Sequence, residues 1–272
     1  VTNIATASDR CVFPAELVYR SLRNELTRGA HPRMPRNCVV QPQGHLGALP
    51  KSATVERLDA QELRDYLRIP KGSSPRIVVG AGYVQPRKGV DLFVQTALHF
   101  RQRFGEDFRF LWVGEGYKPD TDVHCSVWVK DSIRRAGLEN HLFMLESQSD
   151  LDVVFGLADV FYLSSRLDPF PNVVIDALAA GVPVVCFDRA TGCADFLAEH
   201  RAPAYVAGYL DTADAAQGIQ KCLDAEWLRQ FRPGPGIVRE ELDIERYAAF
   251  VEDQAREACR AREEQDRQAE VL

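Results

Sequence analysis

Short apolar runs alternate along the chain with segments in which hydrophobic residues recur every three or four positions. The runs have the length and β-branched character of strands, and the periodic segments are typical of amphipathic helices. The predicted strands are 76–82, 108–114, 142–145, 159–164 and 183–187, and the predicted helices are 91–104, 123–136, 151–157 and 172–180. Weaker repeats of the pattern follow at 194–200, 204–207 and 211–223.

Strands that are apolar along their whole length are buried on both faces, and short loops between alternating strands and helices favour parallel pairing. The pattern therefore predicts an α/β fold with a doubly wound, Rossmann-like parallel sheet and a C-terminal helix. Ligands of such sheets bind at the carboxyl ends of the strands, so the loops that follow the strands are the candidate site.

The N-terminal flank has a weaker pattern, with a helix-like stretch at 15–26 and a strand-like run at 37–41. This piece is too small to bury a core of its own. A linker helix is predicted over 59–69, because Asp59 and Glu62 have the spacing of a capping box.

The C-terminal flank carries an apolar stripe at helical spacing, and the chain after Cys259 is almost entirely charged. The stripe consists of Ile244, Tyr247, Ala248, Val251, Ala255, Ala258 and Cys259. We expect the stripe to need a partner surface and the charged tail to fray.

Composition narrows the class of protein. The 272 residues are 46% hydrophobic and 26% charged, which is typical of a globular protein with one large or two smaller domains. The formal net charge of −6 argues against a protein whose main work is coating nucleic acid or anionic membrane. The longest apolar run, 177–187, is far shorter than the ~20 residues of a membrane span, and no signal-peptide pattern is present.

The seven cysteines are scattered and include no C-x-x-C pair. Disulfide frameworks and zinc sites need tighter spacing, so a reducing, cytoplasmic environment is expected. The sequence begins with Val1 instead of methionine, from which we expect a fragment or a processed product.

A glycine-lined turn, 80–89, leaves the first predicted strand and carries Arg87 and Lys88 just before a helix. Backbone N–H groups, a helix N-terminus and a cation together form a phosphate cradle. The alternative, a plain turn with solvated cations, is equally compatible with the residues.

Two carboxylates flank a second strand-to-helix junction, at which a helix is predicted to start near Asn172. Asp168 lies just ahead of that helix, where an anion is stabilised with or without a ligand. Asp176 interrupts an apolar run and needs hydrogen-bond donors, which sugar hydroxyls would supply. Structural capping is the alternative for both residues.

Taken in order, these segments resemble the donor-binding half of a retaining glycosyltransferase of the two-Rossmann-domain (GT-B) type, in the large family four. The resemblance covers roughly 69–223, and its specificity lies in the ordered set. The matching segments are the turn with Lys88-Gly89 and Val90-Asp91-Leu92, Val113-Gly-Glu-Gly116, Ala158-Asp159-Val160 leading to Ser164-Ser165, the carboxylate pair, Ala179-Ala-Gly-Val-Pro-Val-Val185 and Thr191-Gly-Cys-Ala-Asp195.

The resemblance implies a role for individual residues. Lys88 would contact the donor diphosphate, Asp168 the hydroxyls of the transferred sugar and Asp176 the nucleotide ribose, with Lys88 and Asp168 as the catalytic residues. Backbone amides over 170–173 would cradle the sugar and phosphates, and the base would lie near Glu146. The implied donor-binding set is Gly82, Tyr83, Arg87, Lys88, Glu146, Ser147, Asp168, Phe170, Pro171, Asn172, Val173 and Asp176.

The implied activity is transfer of a sugar, with retention, from a nucleotide-diphosphate sugar to a saccharide or lipid-linked acceptor in polysaccharide or glycoconjugate biosynthesis. No cofactor and no protein-bound metal are implied, because Lys88 and helix N–H groups would stabilise the leaving diphosphate. Nucleic acid and a transmembrane segment are not expected, and peripheral membrane contact stays open. The alternative function is a nucleotide-sugar-binding module without transfer activity of its own.

The implied domains are a remnant of an N-terminal acceptor domain at 1–45, a linker at 46–75, the donor-binding domain at 76–225 and a C-terminal helical segment at 226–272. Most of the acceptor domain would be missing, so whether the chain is active alone stays open.

Three positions depart from the family pattern. The family usually has glutamate where this chain has Asp168 and Asp176, and usually has arginine at the position of Tyr83. Arg87 is a candidate for the missing cation.

Overall fold

The computed structural model describes residues 8–28, 37–47, 58–148 and 151–270. The strands within these ranges are β1 Cys11–Phe13, β2 Cys38–Val40, β3 Arg76–Ala81, β4 Phe108–Val113, β5 Leu142–Leu145, β6 Val160–Leu163, β7 Val184–Phe187 and β8 Ala204–Ala207. The α-helices are α1 Glu16–Arg28, α2 Ala60–Tyr66, α3 Val90–Phe104, α4 Ser126–Arg135, α5 Asp152–Leu157, α6 Asn172–Ala179, α7 Cys193–Glu199, α8 Thr212–Cys222, α9 Ala225–Leu228, α10 Gly234–Glu241 and α11 Ile244–Glu270. A 3₁₀ turn, Pro86–Lys88, precedes α3.

The chain divides into two compact units, one formed by 47–238 and the other by 1–46 together with 239–272. The domain boundaries that the resemblance implies remain predictions, because the division into two compact units does not show which segments bind the donor or the acceptor. Within the described ranges, no helix is long and apolar enough to cross a lipid bilayer.

The larger unit contains a six-stranded, all-parallel sheet with the order β5-β4-β3-β6-β7-β8. All four residues of β6 and of β7 are buried, which requires cover on both faces of the sheet. The predicted doubly wound α/β fold with a C-terminal helix is therefore confirmed.

The strand order places the topological switch point between β3 and β6, because the chain continues from β3 to one side of the sheet and then crosses to β6 on the other. β3 pairs with β4 along six residues but with β6 only at Val78↔Val160 and Val79↔Phe161. The loops that leave these two strands therefore border a crevice at the carboxyl edge, where ligands of doubly wound sheets bind.

An aromatic cluster fixes α3 against the sheet beside this crevice. The ring centroid of Phe93 lies 5.1 Å from that of Phe110 and 5.3 Å from that of Trp112. The buried Tyr162 hydroxyl is satisfied by Thr96 Oγ1 at 2.9 Å. Rigid burial of this kind fixes where α3 begins and, with it, the turn that carries Lys88.

The predicted start of α4 and the predicted end of α11 are wrong. α4 begins at Ser126 instead of Val123, because the Asp122 carboxylate accepts N–H bonds from residues 124, 125 and 126 and holds the preceding residues in a turn. α11 continues to Glu270 instead of fraying after Cys259, and an ion pair between Arg262 and Asp9 supports it there.

The capping box predicted at the start of the linker helix is present. Asp59 Oδ1 accepts the Glu62 N–H at 2.8 Å, and Glu62 Oε2 accepts the Asp59 N–H at 2.8 Å. The helix itself ends at Tyr66, three residues earlier than predicted, and the next turn contains Arg68 with φ of 52°.

Acid is expected to weaken the larger unit partly through Asp122. Hydrogen bonds from the backbone and hydroxyl of Ser126 lower the pKa of Asp122 from its ordinary value to about 2. A depressed carboxyl pKa stabilises the fold above the unfolded pKa, near 4, and this contribution is lost as the pH falls toward 2. In Asp122→Asn, the free energy of unfolding in urea should therefore fall less between pH 5 and pH 2.5 than it does in the wild-type chain. Asp120→Asn, on the same loop, should show the wild-type fall. An equal fall in both variants would contradict this prediction.

The smaller unit pairs β1 with β2 in parallel, in a register that places Cys11 opposite Cys38. Both cysteines pack against the cluster formed by Phe13 and Leu22 and are free thiols. The sequence pattern did not reveal this neighbourhood, because β1 is only three residues long and was not predicted.

The C-terminal part of the chain belongs to this same unit. Arg10 forms an ion pair with Glu257 of α11, and the His45 N–H donates to the Leu242 carbonyl at 2.6 Å. The two ends of the described chain therefore meet in one unit.

Candidate functional site

A cavity of about 410 Å³ opens at the carboxyl ends of β3 and β4, beside the first residues of α6. Its walls are built from the loops that follow four adjacent strands, β5, β4, β3 and β6, and from the start of one helix. The lining residues are Ala81, Gly82, Tyr83, Lys88, Val113, Gly114, Glu115, Ser147, Gln148, Leu151, Asp168, Pro171, Asn172 and Val173. This is the edge at which the sequence pattern predicts the site.

Asp168 is the buried charge of the cavity, with only 6% of its surface exposed. Its Oδ2 atom lies 2.5 Å from Lys88 Nζ and 3.3 Å from Ser165 Oγ. Its Oδ1 atom lies 3.8 Å from a guanidinium nitrogen of Arg87. A buried carboxylate needs such partners, and here both cations come from the glycine-lined turn.

The backbone holds Asp168 in place from the side of β7. Its N–H donates to the Ala190 carbonyl at 2.8 Å, and an isolated parallel bridge joins it to Thr191. The Gly192 N–H donates to the Pro169 carbonyl at 2.9 Å. The segment before α6 is therefore hydrogen-bonded to the loop that follows β7, which limits the movement of the Asp168 carboxylate.

Glycines bring Lys88 to Asp168. The aliphatic stem of Lys88 lies along Gly82, where an added Cβ would be 3.2 Å from Lys88 Cδ. The Lys88 carbonyl accepts the Ser164 hydroxyl at 3.1 Å, and Gly89 turns the chain into α3 with φ of 70°. The glycine-lined turn is thus more than a plain solvated turn, because its lysine points to a buried carboxylate.

Tyr83 and Arg87 occupy different places around the cavity. Tyr83 lines it, is 54% exposed, and packs its ring on Gly116, where an added Cβ would lie 2.7 Å from the ring. Arg87 is not a lining residue; it donates to the Leu167 carbonyl at 3.0 Å and faces Asp168 from outside.

The N-terminus of α6 forms one wall. Pro171 is its N-cap residue and makes no side-chain capping hydrogen bond, and Asn172 and Val173 line the cavity. The first N–H groups of a helix have no intrahelical partner and carry a partial positive charge. The wall is therefore suited to an anion.

Two of the predicted residues near α6 lie outside the lining. Phe170 is buried and packs its ring 5.5 Å from that of Phe196, so its side chain is a structural anchor. Asp176 is half-buried one helical turn beyond Asn172 and does not line the cavity.

The opposite wall follows β5. Ser147 lines it together with Gln148 and Leu151, while Glu146 is exposed and its carbonyl accepts the Gln148 side-chain amide at 3.0 Å. Residues 149 and 150, which follow the segment expected near the base, lie outside the described residues.

Sequence reasoning missed several lining residues. Gly114 and Glu115 lie in a segment that matches the family, but the motif predicts no role for them. Gln148, Leu151 and Ser165, which donates to Asp168, lie outside the predicted donor-binding set. Their position after β4, β5 and β6 was the available signal, because the carboxyl ends of neighbouring parallel strands share one edge.

Arg166 and Asp91 form a bidentate ion pair, the fork. It joins the loop that carries Asp168 to the start of α3, just after Lys88. Two guanidinium nitrogens of Arg166 donate to the two carboxylate oxygens of Asp91 at 2.8 and 2.7 Å. Burial alone would raise the pKa of Asp91, but the hydrogen bonds and charge of Arg166 outweigh it and lower that pKa.

No group of three or more His, Cys, Asp or Glu side chains within the described ranges could hold a metal ion. The expectation of a reaction without cofactor or protein-bound metal is not tested by this and stays a prediction.

Comparison with known proteins identifies the family. Residues 63–232, well over half of the chain, match the family described as glycosyl transferases group 1. The chain belongs to the glycosyl transferases group 1 family. The predicted resemblance is confirmed at the level of family and fold, whereas the retaining mechanism is not tested.

Curated relatives match part of this group 1 chain. It is 28% identical over 124 residues to mannosylfructose-phosphate synthase of Agrobacterium fabrum, a match of 45% of this chain and 27% of that protein. It is 30% identical over 116 residues to alpha-galactosylglucosyldiacylglycerol synthase of Streptococcus pneumoniae, a match of 41% and 28% respectively. The match therefore spans less than a third of the length of either relative.

Solved structures share the GT-B fold of this group 1 chain. Sucrose-phosphate synthase from Thermosynechococcus elongatus superposes with a TM-score of 0.70 at 20% identity, covering 96% of this chain and 61% of that one. The Anabaena protein HepE, solved with UDP and glucose, gives a TM-score of 0.71 at 17% identity, covering 93% and 65%.

Proposed function

We propose that this group 1 chain provides the donor half of a glycosyltransferase that transfers a sugar, with retention, from a nucleotide-diphosphate sugar. The observation that carries the proposal is the pairing of Lys88 with buried Asp168 in a cavity at the β3–β6 switch point. A cation, a carboxylate and a helix N-terminus at one site suit a ligand that combines a diphosphate with sugar hydroxyls.

Donor binding would rearrange the pair. A diphosphate would attract Lys88 away from Asp168, and the freed carboxylate would then accept hydrogen bonds from sugar hydroxyls. The N–H groups at the start of α6 would complete the anion site. In the transition state, Lys88 and these N–H groups would stabilise the charge that develops on the leaving diphosphate.

The remaining predicted donor contacts belong to the same proposal. Asp176, which is half-buried and is not a lining residue of the cavity, would bind the nucleotide ribose. Glu146 and Ser147 would lie near the base, and Ser147 already lines the cavity. Gly82 and Tyr83 would border the diphosphate, and Arg87 would supply a second cation next to Asp168.

The acceptor is a saccharide or a lipid-linked molecule in polysaccharide or glycoconjugate synthesis. The names of two relatives support both classes, one being a synthase of a sugar phosphate and the other of a glycosyl diacylglycerol. Transfer would need an acceptor-binding domain and would take place in the cytoplasm.

Thermal unfolding with a panel of UDP, GDP, dTDP and ADP tests the proposal. A ligand at 100 times its dissociation constant stabilises the native state by about 2.7 kcal/mol, which gives a measurable shift in Tm. One nucleotide of the panel should raise the Tm of the wild-type chain, and UDP is the first choice because HepE was solved with it.

The shift should be much smaller in Asp176→Ala, measured against that variant's own Tm without ligand. Asp131→Ala, at a half-buried aspartate of α4 that pairs with Arg134 and does not line the cavity, is the control and should keep the full shift. Binding without any donor turnover in a protein that includes the acceptor domain would favour the binding-module alternative. Absence of a shift with all four nucleotides would contradict the donor site.

A further inference from the structure

The two loops that carry Lys88 and Asp168 are joined by a dense set of contacts. The Arg166 N–H donates to the Arg87 carbonyl at 2.9 Å, and the Arg166 guanidinium donates to the Pro86 carbonyl at 2.7 Å. With the fork to Asp91, Arg166 thus has three anchors, two on the turn at 86–89 and one at the start of α3.

This arrangement compensates for the short pairing between β3 and β6. The two strands share only the register pairs at Val78 and Val79, so ladder hydrogen bonds do not set the spacing of the loops beyond them. Arg166 lies two residues before Asp168, and Asp91 lies three residues after Lys88. The fork therefore lies within three residues of each of the two functional groups and joins their loops directly.

Neither Asp91 nor Arg166 is among the residues that line the cavity. Their influence on a ligand must pass through Lys88 and Asp168. A planar guanidinium can bond both carboxylate oxygens while also donating to a carbonyl, which an ammonium group cannot do with the same fixed geometry.

We propose that Asp91 and Arg166 are positioning residues that fix Lys88 relative to Asp168, so that one donor contacts both. This inference rests on the proposed function, because it assigns Lys88 to the diphosphate. It assigns the fork a role in ligand affinity beyond its contribution to the stability of the fold.

A double-mutant cycle on nucleotide affinity tests the inference. The probe is whichever of UDP, GDP, dTDP and ADP binds the wild-type chain, and its dissociation constant is measured by calorimetry. Arg166→Ala should weaken binding about tenfold in the wild-type background, within the usual range of coupling between contacting residues. In a Lys88→Met background, Arg166→Ala should weaken nucleotide binding by less than about twofold, because the ammonium group that Arg166 positions is gone.

Chemical rescue separates positioning from stability. Guanidinium chloride at low millimolar concentration should restore part of the affinity of Arg166→Ala by filling the vacated site. Guanidinium also destabilises folded proteins, so a variant that merely folds poorly would not recover. Arg166→Lys, which keeps the charge without the fork, should bind nearly as weakly as Arg166→Ala.

Arg134→Ala is the matched control, because Arg134 forms an exposed pair with Asp131 on α4 at 2.6 Å. It should leave nucleotide affinity unchanged and show no rescue. An equal loss from Arg166→Ala in both backgrounds would overturn the positioning role while the proposed function stands. Failure of the wild-type chain to bind any of the four nucleotides would overturn both.

Discussion

Replacing Lys88 with methionine is expected to lower the rate of sugar transfer by roughly 10²–10³-fold, the effect of removing one preorganised donor to a developing anion. Methionine preserves the aliphatic stem that lies along Gly82, so the shape of the turn should survive. The ammonium group, which approaches Asp168 Oδ2 to 2.5 Å, is the part that is lost. Nucleoside diphosphate affinity should fall as well, because the same group binds the ground state.

The measurement is donor turnover by a protein that includes the acceptor-binding domain, together with nucleotide affinity of this chain. Arg87→Met is the informative companion, because Arg87 lies 3.8 Å from Asp168 but outside the cavity lining. It should cost much less than Lys88→Met. A larger loss from Arg87→Met would show that Arg87, and not Lys88, supplies the main cation.

The sequence predicts the central strands of the sheet well because they are buried on both faces. β6 and β7 are continuous apolar runs bounded by loop residues, and such runs are recognisable without any tertiary information. The three-residue β1 and the turn-length helix α9 were missed, since elements of this length carry too few residues for a period to show.

The site is predicted less completely, and the reason is geometric. Local motifs indicated Lys88, Asp168 and the start of α6, because each lies at a strand-to-helix junction. The fork between Asp91 and Arg166 joins residues 75 positions apart and cannot be seen in either motif alone. The placement of Phe170 in the core also depends on a distant partner, Phe196.

The structure shows what surrounds two of the residues that depart from the family pattern, Asp168 and Tyr83. Asp168 is one methylene shorter than glutamate, yet Lys88 reaches it directly, and Ser165 donates to the same oxygen. Tyr83 places an aromatic ring on Gly116 where the family usually has a cation. Positive charge is thereby concentrated on the turn at 86–89 and not on the residue after Gly82.

That turn depends on Gly89, and Gly89→Ala is expected to destabilise the larger unit by on the order of 3–5 kcal/mol. Gly89 has φ of 70°, a conformation that costs an L-residue about 1–2 kcal/mol. An added Cβ would also lie 2.0 Å from the Ser164 carbonyl oxygen, a backbone atom that cannot move without shifting β6. The clash should therefore dominate the cost.

Gly72→Ala separates the two contributions, because Gly72 has φ of 83° and nothing within 4 Å of an added Cβ. Urea unfolding should show a loss of about 1 kcal/mol for Gly72→Ala and a severalfold larger loss for Gly89→Ala. Equal losses would mean that the loops at 86–89 and 164–168 separate without cost. Relief of the clash must move Lys88 away from Ser164 and Asp168. The folded molecules of the Gly89→Ala variant should therefore also bind nucleotide more weakly than the Gly72→Ala variant does.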